Sequence, residues 1–138
     1  NSLIVGGIKV GMSVSIACPA AYRPDADIMA WAKANGHFAC GEDLMAMAAD
    51  ADVIYTDVWA SMGDEGELEQ RRQAFASYQV NDALMAVAKP DAMVQHCLPA
   101  HRGEEITEAV LEAHAAEIFE EAENRLHAQK AVMVQLMR

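Results

Sequence analysis

Short β-rich runs alternate with longer helical stretches along this chain, and that alternation constrains the fold more than any other feature. Ser13-Val14-Ser15-Ile16-Ala17 reads as a strand that stops at Cys18-Pro19, because proline has no N–H for a ladder. Asp52-Val53-Ile54-Tyr55-Thr56 is a second strand and Met93-Val94-Gln95-His96 a third, closed by Leu98-Pro99. His37-Phe38-Ala39 and Glu117-Ile118-Phe119 are further strand candidates. Between them, helical spacing covers residues 26–34, 43–49, 68–76, 81–88 and 105–113. A final helix is expected over 124–137, with Leu126, Val132, Met133 and Leu136 on one side. Strands separated by helices imply βαβ units, hence an α/β three-layer sandwich with a mainly parallel sheet flanked by helices. In such sheets ligands sit beyond the carboxyl ends of the strands. The loops after Thr56 and His96 are therefore the places to look for function.

The chain has 138 residues, the size of one domain, and 53% of them are hydrophobic, enough to build a core. Its formal net charge is −11, with ten Lys and Arg residues scattered along it. A phosphate-backbone binder clusters its cations, so nucleic acid is excluded as a partner, and anionic membrane surfaces are disfavoured by the same sign. No apolar run reaches the roughly 20 residues that cross a bilayer. Cys18, Cys40 and Cys97 make an odd count without CxxC spacing, which points to reduced thiols in a cytoplasmic setting. His37, His101, His114 and His127 show no i, i+4 pairing of metal-ligand type, so no metal is expected. Trp31 reads as core, Trp59 as an anchor for the base of its loop, and Met45 and Met47 as packing.

Three constellations are capable of chemistry. In Thr56-Asp57-Val58-Trp59-Ala60-Ser61-Met62-Gly63 an acid at a strand end is followed by a Ser and Gly loop. It can hold an ammonium and offer hydroxyl and backbone donors, although an Asp after a strand also serves as a turn former. In His96-Cys97-Leu98-Pro99 a thiol stands at a strand terminus beside a histidine, the residues of a Cys/His nucleophile. Neighbours along a strand point to opposite faces, however, which places His96 poorly as a base for Cys97. In Glu121-Ala122-Glu123-Asn124-Arg125, Arg125 lies near the expected start of the last helix, where it can grip an anion or form a surface ion pair.

In order and spacing these three segments resemble the transcarbamylase family. Asp57 to Gly63 is similar to the ornithine-binding loop of ornithine carbamoyltransferases, His96-Cys97-Leu98-Pro99 to their motif of the same four residues, and Ala122-Glu123-Asn124-Arg125 to a segment that opens the last helix. Tyr78-Gln79-Val80-Asn81 matches a further segment, and the resemblance covers essentially the whole chain. Aspartate carbamoyltransferases have His-Pro-Leu-Pro where this chain has Cys97, and putrescine carbamoyltransferases differ in the Ser61-Met62-Gly63 loop, so ornithine is the expected substrate.

The resemblance implies that Asp57 binds the ornithine α-ammonium, that Ser61 and Met62 hold its amino-acid end, and that Cys97 lies against its δ-amine. It implies further that the backbone at Cys97 and Leu98 touches the carbamoyl group, that Arg125 holds carbamoyl phosphate, and that no cofactor takes part. Catalytic roles fall on Cys97 and Arg125. The Ser-Thr-Arg-Thr segment with which the family cradles phosphate is not found in these residues, and the chain opens without Met in a helix-like run from Leu3 to Val10. The expectation is an ornithine-binding domain over residues 1–138, cut from a longer protein, inactive without its carbamoyl-phosphate domain, and part of a homotrimer at full length. Alternatives are a carbamoyltransferase for aspartate or putrescine, a non-catalytic amino-acid-binding module, or a cysteine-nucleophile enzyme.

Overall fold

The expected alternation becomes seven helices and four strands in a computed structural model, which describes residues 1–60 and 65–137. In chain order these are α1 (Ser2–Lys9), β1 (Val14–Ala17), α2 (Ala26–Asn35), β2 (Phe38–Gly41), α3 (Leu44–Ala48), β3 (Val53–Thr56), α4 (Leu68–Phe75), α5 (Asp82–Met85), β4 (Met93–His96), α6 (Glu108–Ala113) and α7 (Ala115–Leu136). Short 3-10 turns at Ala20–Tyr22 and Glu65–Glu67 complete the set among the described residues. All strand pairing is parallel, and helices flank the strands, as βαβ connectivity requires. The elements gather into two compact units, Asn1–Ala49 and a second from Asp50 onward.

In the first unit β1 pairs with β2, with Val14 opposite Phe38 and Ala17 opposite Gly41. Ile4 and Ile8, four apart on one face of α1, pack with Ala32 of α2. Val14, Ile16, Ile28, Trp31 and Phe38 close around them, so Trp31 joins the core as its spacing indicated. Gly7 lets α1 approach β1: a Cβ there would lie 2.8 Å from Val14 Cγ2. The carboxylates of Asp25 and Asp43 accept the free N–H groups at the starts of α2 and α3. Cys18 is buried and Cys40 half-buried.

In the second unit β3 pairs with β4, from Val53 opposite Met93 to Thr56 opposite His96. Ile54 and Val94 face each other in that register and are both buried, with Leu84, Val110, Leu111 and Ile118 from the surrounding helices. Asn81 and Thr107 cap α5 and α6. A parallel bridge joins Val80 to Ile106, and the Val80 N–H donates to the Glu105 carbonyl at 2.8 Å. This bridge takes Glu105 and Ile106 out of α6, which begins at Glu108 rather than at 105.

Two expectations about the C-terminal region are overturned. Glu117-Ile118-Phe119 is not a strand but lies in α7, which runs unbroken from residue 115 instead of starting near 124. One β-branched and one aromatic residue there are embedded in Ala, Glu, Leu and Gln, whose summed helix propensity prevails. Glu117 in turn accepts the β4 backbone N–H of Val94 at 2.7 Å. Beyond it, Leu126, Val132, Met133 and Leu136 do share the helix but are all more than half exposed. Among the described residues no helix is long and apolar enough to cross a membrane.

Candidate functional site

The register of β3 and β4 builds the site. Thr56 stands opposite His96, so the next residue of each strand, Asp57 and Cys97, leaves the carboxyl edge side by side. Parallel neighbours are roughly 4.8 Å apart, which leaves two short side chains in contact. The Cys97 thiol donates to Asp57 Oδ1 at 3.1 Å, and the same oxygen accepts the Val58 N–H at 2.8 Å. Asp57 thus acts as the turn-forming acid its position also allowed and as a partner for the thiol.

Burial, followed by the hydrogen bond and charge of Asp57, pushes the Cys97 thiol up to about 11. That stabilises the thiol over the thiolate and counts against the cysteine-nucleophile reading. His96 cannot reverse this. A ring nitrogen does come within 4.8 Å of the Cys97 sulfur and the Asp57 carboxylate. It is bonding rather than strand facing that separates the two residues. His96 is fully buried; its Nδ1 accepts the Leu98 N–H at 2.9 Å and its Nε2 lies 2.9 Å from Glu105 Oε1. With Nδ1 accepting from Leu98 and Nε2 facing Glu105, both ring nitrogens are engaged.

Glu105 is the residue the sequence did not single out. It is fully buried, and its Oε1 also accepts the His101 N–H at 2.7 Å. Burial raises its carboxyl, but the His96 hydrogen bond and two backbone N–H groups outweigh that and hold it below the usual carboxylate range. Through His96 it fixes Leu98, whose φ of +52° is left-handed and uncommon for a branched side chain, ahead of a cis bond to Pro99. Because the Leu98 N–H is taken by His96, this residue can offer a ligand its carbonyl but not its N–H.

Two more side chains pair between β3 and α7. Tyr55, two residues before Asp57 and so on the same side of β3, donates its hydroxyl to Glu121 Oε1 of α7 at 2.7 Å. The alternation that puts residues 55 and 57 together is a signal the sequence contained. Glu121 is mid-helix, because α7 starts six residues before it, at Ala115. Arg125 is one turn further along, exposed, and without a hydrogen bond or ion pair among the described residues. The structure does not bring it into contact with Cys97 or Asp57.

Ser61, Met62 and Gly63 lie outside the described residues. Two residues before them in sequence, Trp59 stacks on Phe75 of α4 with ring centroids 6.3 Å apart, and its carbonyl accepts from Arg71 at 3.3 Å. This is the anchoring role its position suggested. Two side-chain triads, Asp57–His96–Cys97 and His101–Glu104–Glu105, have metal-ligand types within 4.8 Å of one another. Hydrogen bonds within the first, and the bonds of Glu104 to Arg72 and of Glu105 to His96 in the second, account for that proximity without an ion.

Known proteins carry the same arrangement of elements. An ornithine carbamoyltransferase of Methanosarcina acetivorans is 55% identical over all of this chain and 46% of its own length. The crystal structure of an anabolic ornithine carbamoyltransferase from Campylobacter jejuni superposes with a TM-score of 0.93 at 37% identity, covering 98% of this chain and 46% of that one. The ornithine carbamoyltransferase of Pyrococcus furiosus does so at 0.86 and 50% identity, over 96% of this chain and 44% of that one. This chain therefore spans about half the length of the relatives it matches. The family described as aspartate/ornithine carbamoyltransferase, Asp/Orn binding domain, matches residues 1–136, and to that family this chain belongs.

Proposed function

We propose that the chain is the ornithine-binding domain of an enzyme that moves a carbamoyl group from carbamoyl phosphate to the δ-amine of ornithine. The observation that carries this reading is the 3.1 Å contact between the Cys97 thiol and the Asp57 carboxylate at the carboxyl edge of β3 and β4. In the reaction the amine attacks the carbamoyl carbon, a C–N bond forms, the C–O bond to phosphate breaks, and the amine's proton is lost. Ornithine's δ-amine has a lysine-like pKa of about 10.4 in water, so its attacking form is scarce at neutral pH. A closed site that excludes water favours the neutral amine and strengthens the donors around the carbamoyl oxygen.

Each residue has a distinct part in this proposal. Asp57 Oδ1 is occupied by Cys97 and Val58, so Oδ2 takes the substrate ammonium. Ser61 and Met62 hold the amino-acid end. Cys97, protonated, lies against the δ-amine and orients it without forming an acyl-enzyme. The Leu98 carbonyl accepts from the carbamoyl amide, and Arg125 reaches carbamoyl phosphate once the rest of the site is assembled. The relatives named as ornithine carbamoyltransferases, and Cys97 in place of the proline expected for aspartate, support ornithine over aspartate or putrescine. A carbamoyl-phosphate domain supplied from outside these residues, a homotrimer and a cytoplasmic location belong to the same proposal.

The test is a citrulline assay on two proteins, the 138-residue chain and its full-length parent. The chain alone is expected to make no citrulline, and the parent to use ornithine in strong preference to aspartate or putrescine. Citrulline from the isolated chain at a rate near the parent's would overturn the two-domain reading. A parent that prefers aspartate or putrescine would overturn the substrate.

A further inference from the structure

The segment Tyr78-Gln79-Val80-Asn81 has no part in the reaction as written above, yet it holds the loop that follows Pro99. Gln79 Nε2 donates to the Gly103 carbonyl and to the Glu104 carbonyl, both at 2.9 Å. The Val80 N–H donates to the Glu105 carbonyl at 2.8 Å, and the Val80 carbonyl accepts the Thr107 N–H at 3.0 Å. Two adjacent residues thus hold three successive carbonyls, those of Gly103, Glu104 and Glu105. Gly103, at φ +86°, gives this turn a left-handed backbone that a side chain would strain. A backbone held at three consecutive points has little freedom to rotate, and it delivers the Glu105 side chain into the core. There Oε1 meets His96 Nε2 and the His101 N–H at 2.9 and 2.7 Å.

Stability alone does not account for Glu105. Its other oxygen, Oε2, is closed off from solvent and has no partner among the described residues. A buried carboxylate satisfied on one side only gains little net stability, so what it holds in place matters more. His96 Nδ1 accepts the Leu98 N–H at 2.9 Å, a bond that fixes Leu98 at φ +52°, where a branched side chain is strained. With its N–H committed inward, Leu98 has its carbonyl to offer, and among the described residues nothing donates to that oxygen. An acceptor with no donor beside it suits a ligand's amide N–H and not a second carbonyl or a phosphate oxygen. We propose that Gln79 and Glu105 are positioning residues for the Leu98 carbonyl. Gln79 fixes the loop that aims Glu105, and Glu105 through His96 keeps the carbonyl turned to receive the carbamoyl amide. This inference rests on the proposed carbamoyl transfer for the ligand, whereas the held backbone is tested without it.

The test is steady-state kinetics on the full-length parent, with kcat expressed per folded enzyme from circular dichroism at the assay temperature. Glu105→Ala is expected to lower kcat about tenfold, the worth of one well-placed hydrogen bond. The KM for ornithine should change less than about twofold, because the groups proposed to hold ornithine stay in place. Glu105→Gln keeps an oxygen for both donors and is expected to recover most of the loss. Gln79→Met keeps the length of the side chain without its donors, and kcat is expected to fall severalfold. It also stands in for Glu105→Ala if that variant does not fold. A merely structural role would lower Tm and leave kcat per folded enzyme at the wild-type value, which overturns the proposal; so does a Glu105→Gln no better than Glu105→Ala. A second measurement on the same proteins is hydrogen exchange of the Leu98 N–H, read by mass spectrometry against the Val94 N–H of β4, which Glu117 holds. Exchange at Leu98 is expected to quicken severalfold more than at Val94 in Glu105→Ala and in Gln79→Met. Equal quickening at both amides, or none, overturns the positioning role. Selective quickening in a parent that makes no citrulline would leave the held backbone standing and overturn the proposed function, and with it the ligand assigned to the carbonyl.

Discussion

Glu105 offers the sharpest test of how the site is held. Its Oε1 accepts from both His96 Nε2 and the His101 N–H, at 2.9 and 2.7 Å, and neither Glu105 nor His96 is exposed. Glu105→Ala leaves both donors without an acceptor. An orphaned buried donor costs about 1–3 kcal/mol. Water can reach the backbone of exposed His101 but not the ring of His96, so one donor stays orphaned and the cost is about 1–3 kcal/mol. Against a total of about 5–15 kcal/mol for a domain, this is a sizeable share, and it corresponds to a fall in Tm of roughly 4–12 °C. Glu105→Gln keeps an oxygen for both donors and loses only the charge assistance, about 1 kcal/mol.

The two variants also differ in pH dependence. The Glu105 carboxyl is held below its ordinary value in the fold, so its contribution is complete above the unfolded carboxyl pKa of about 4.3. It is lost as pH falls through the folded value. Thermal unfolding followed by circular dichroism should therefore show the gap between wild type and Glu105→Gln closing on acidification. Glu105→Ala within about 1 kcal/mol of wild type at neutral pH would refute the accounting, since the threshold for one orphaned donor is that size. So would a gap to Glu105→Gln that widens in acid.

Two further outcomes follow from single contacts. The Asn81 side chain accepts the Leu84 N–H at 3.0 Å and starts a helix of only four residues; Asn81→Ala should lower stability in urea unfolding by about 1 kcal/mol. Asp57→Asn weakens the hydrogen bond and removes the charge that, after burial, raise the Cys97 thiol from its ordinary range to about 11. Iodoacetamide should then modify Cys97 faster than in wild type at the same pH, and a slower rate would contradict that cause.

How far the sequence disclosed this depended on the range of each interaction. Val14, Ile54 and Val94 lie in β-rich runs bounded by Pro or loop residues, and local pattern is enough to find such strands. Caps at Asp25 and Asn81 are local too, and the helices they open begin within a residue of where spacing put them, whereas α6, capped by Thr107, begins three residues later than expected. The start of α7 was misplaced because Ile118 and Phe119 look β-like over three residues, whereas the helix is decided over twenty-two. Asp57 and Cys97 could be named separately from their strand ends, but their contact depends on the register of β3 against β4, forty residues apart in sequence. Glu105 reaches His96 through the bridge between Val80 and Ile106, and Glu121 reaches Tyr55 from a helix packed later in the chain. Neither pairing leaves a periodic trace. His96 is a poor base for Cys97, as the sequence suggested, but through its bonds to Leu98 and Glu105 and not through the facing of the strand.

That correction bears on why a thiol stands at this position at all. The Asp57 carboxylate stands beside the place proposed for the substrate's amine, and a bare carboxylate there would hold the amine as an unreactive ammonium. It is not bare. Asp57 Oδ1 takes the thiol proton and the Val58 N–H. Cys97 thus contributes in two ways: its proton attenuates that negative charge, and its uncharged sulfur gives the amine a polarizable surface. A carboxylate in its place would add a second negative charge and favour the ammonium further. A hydroxyl is a stronger donor and would bind Asp57 more tightly, leaving less of the acid for the substrate. On this logic Cys97→Asp in the full-length parent should move the alkaline limb of the kcat profile to higher pH, because the bound amine's pKa rises, while Cys97→Ser should chiefly raise the KM for ornithine.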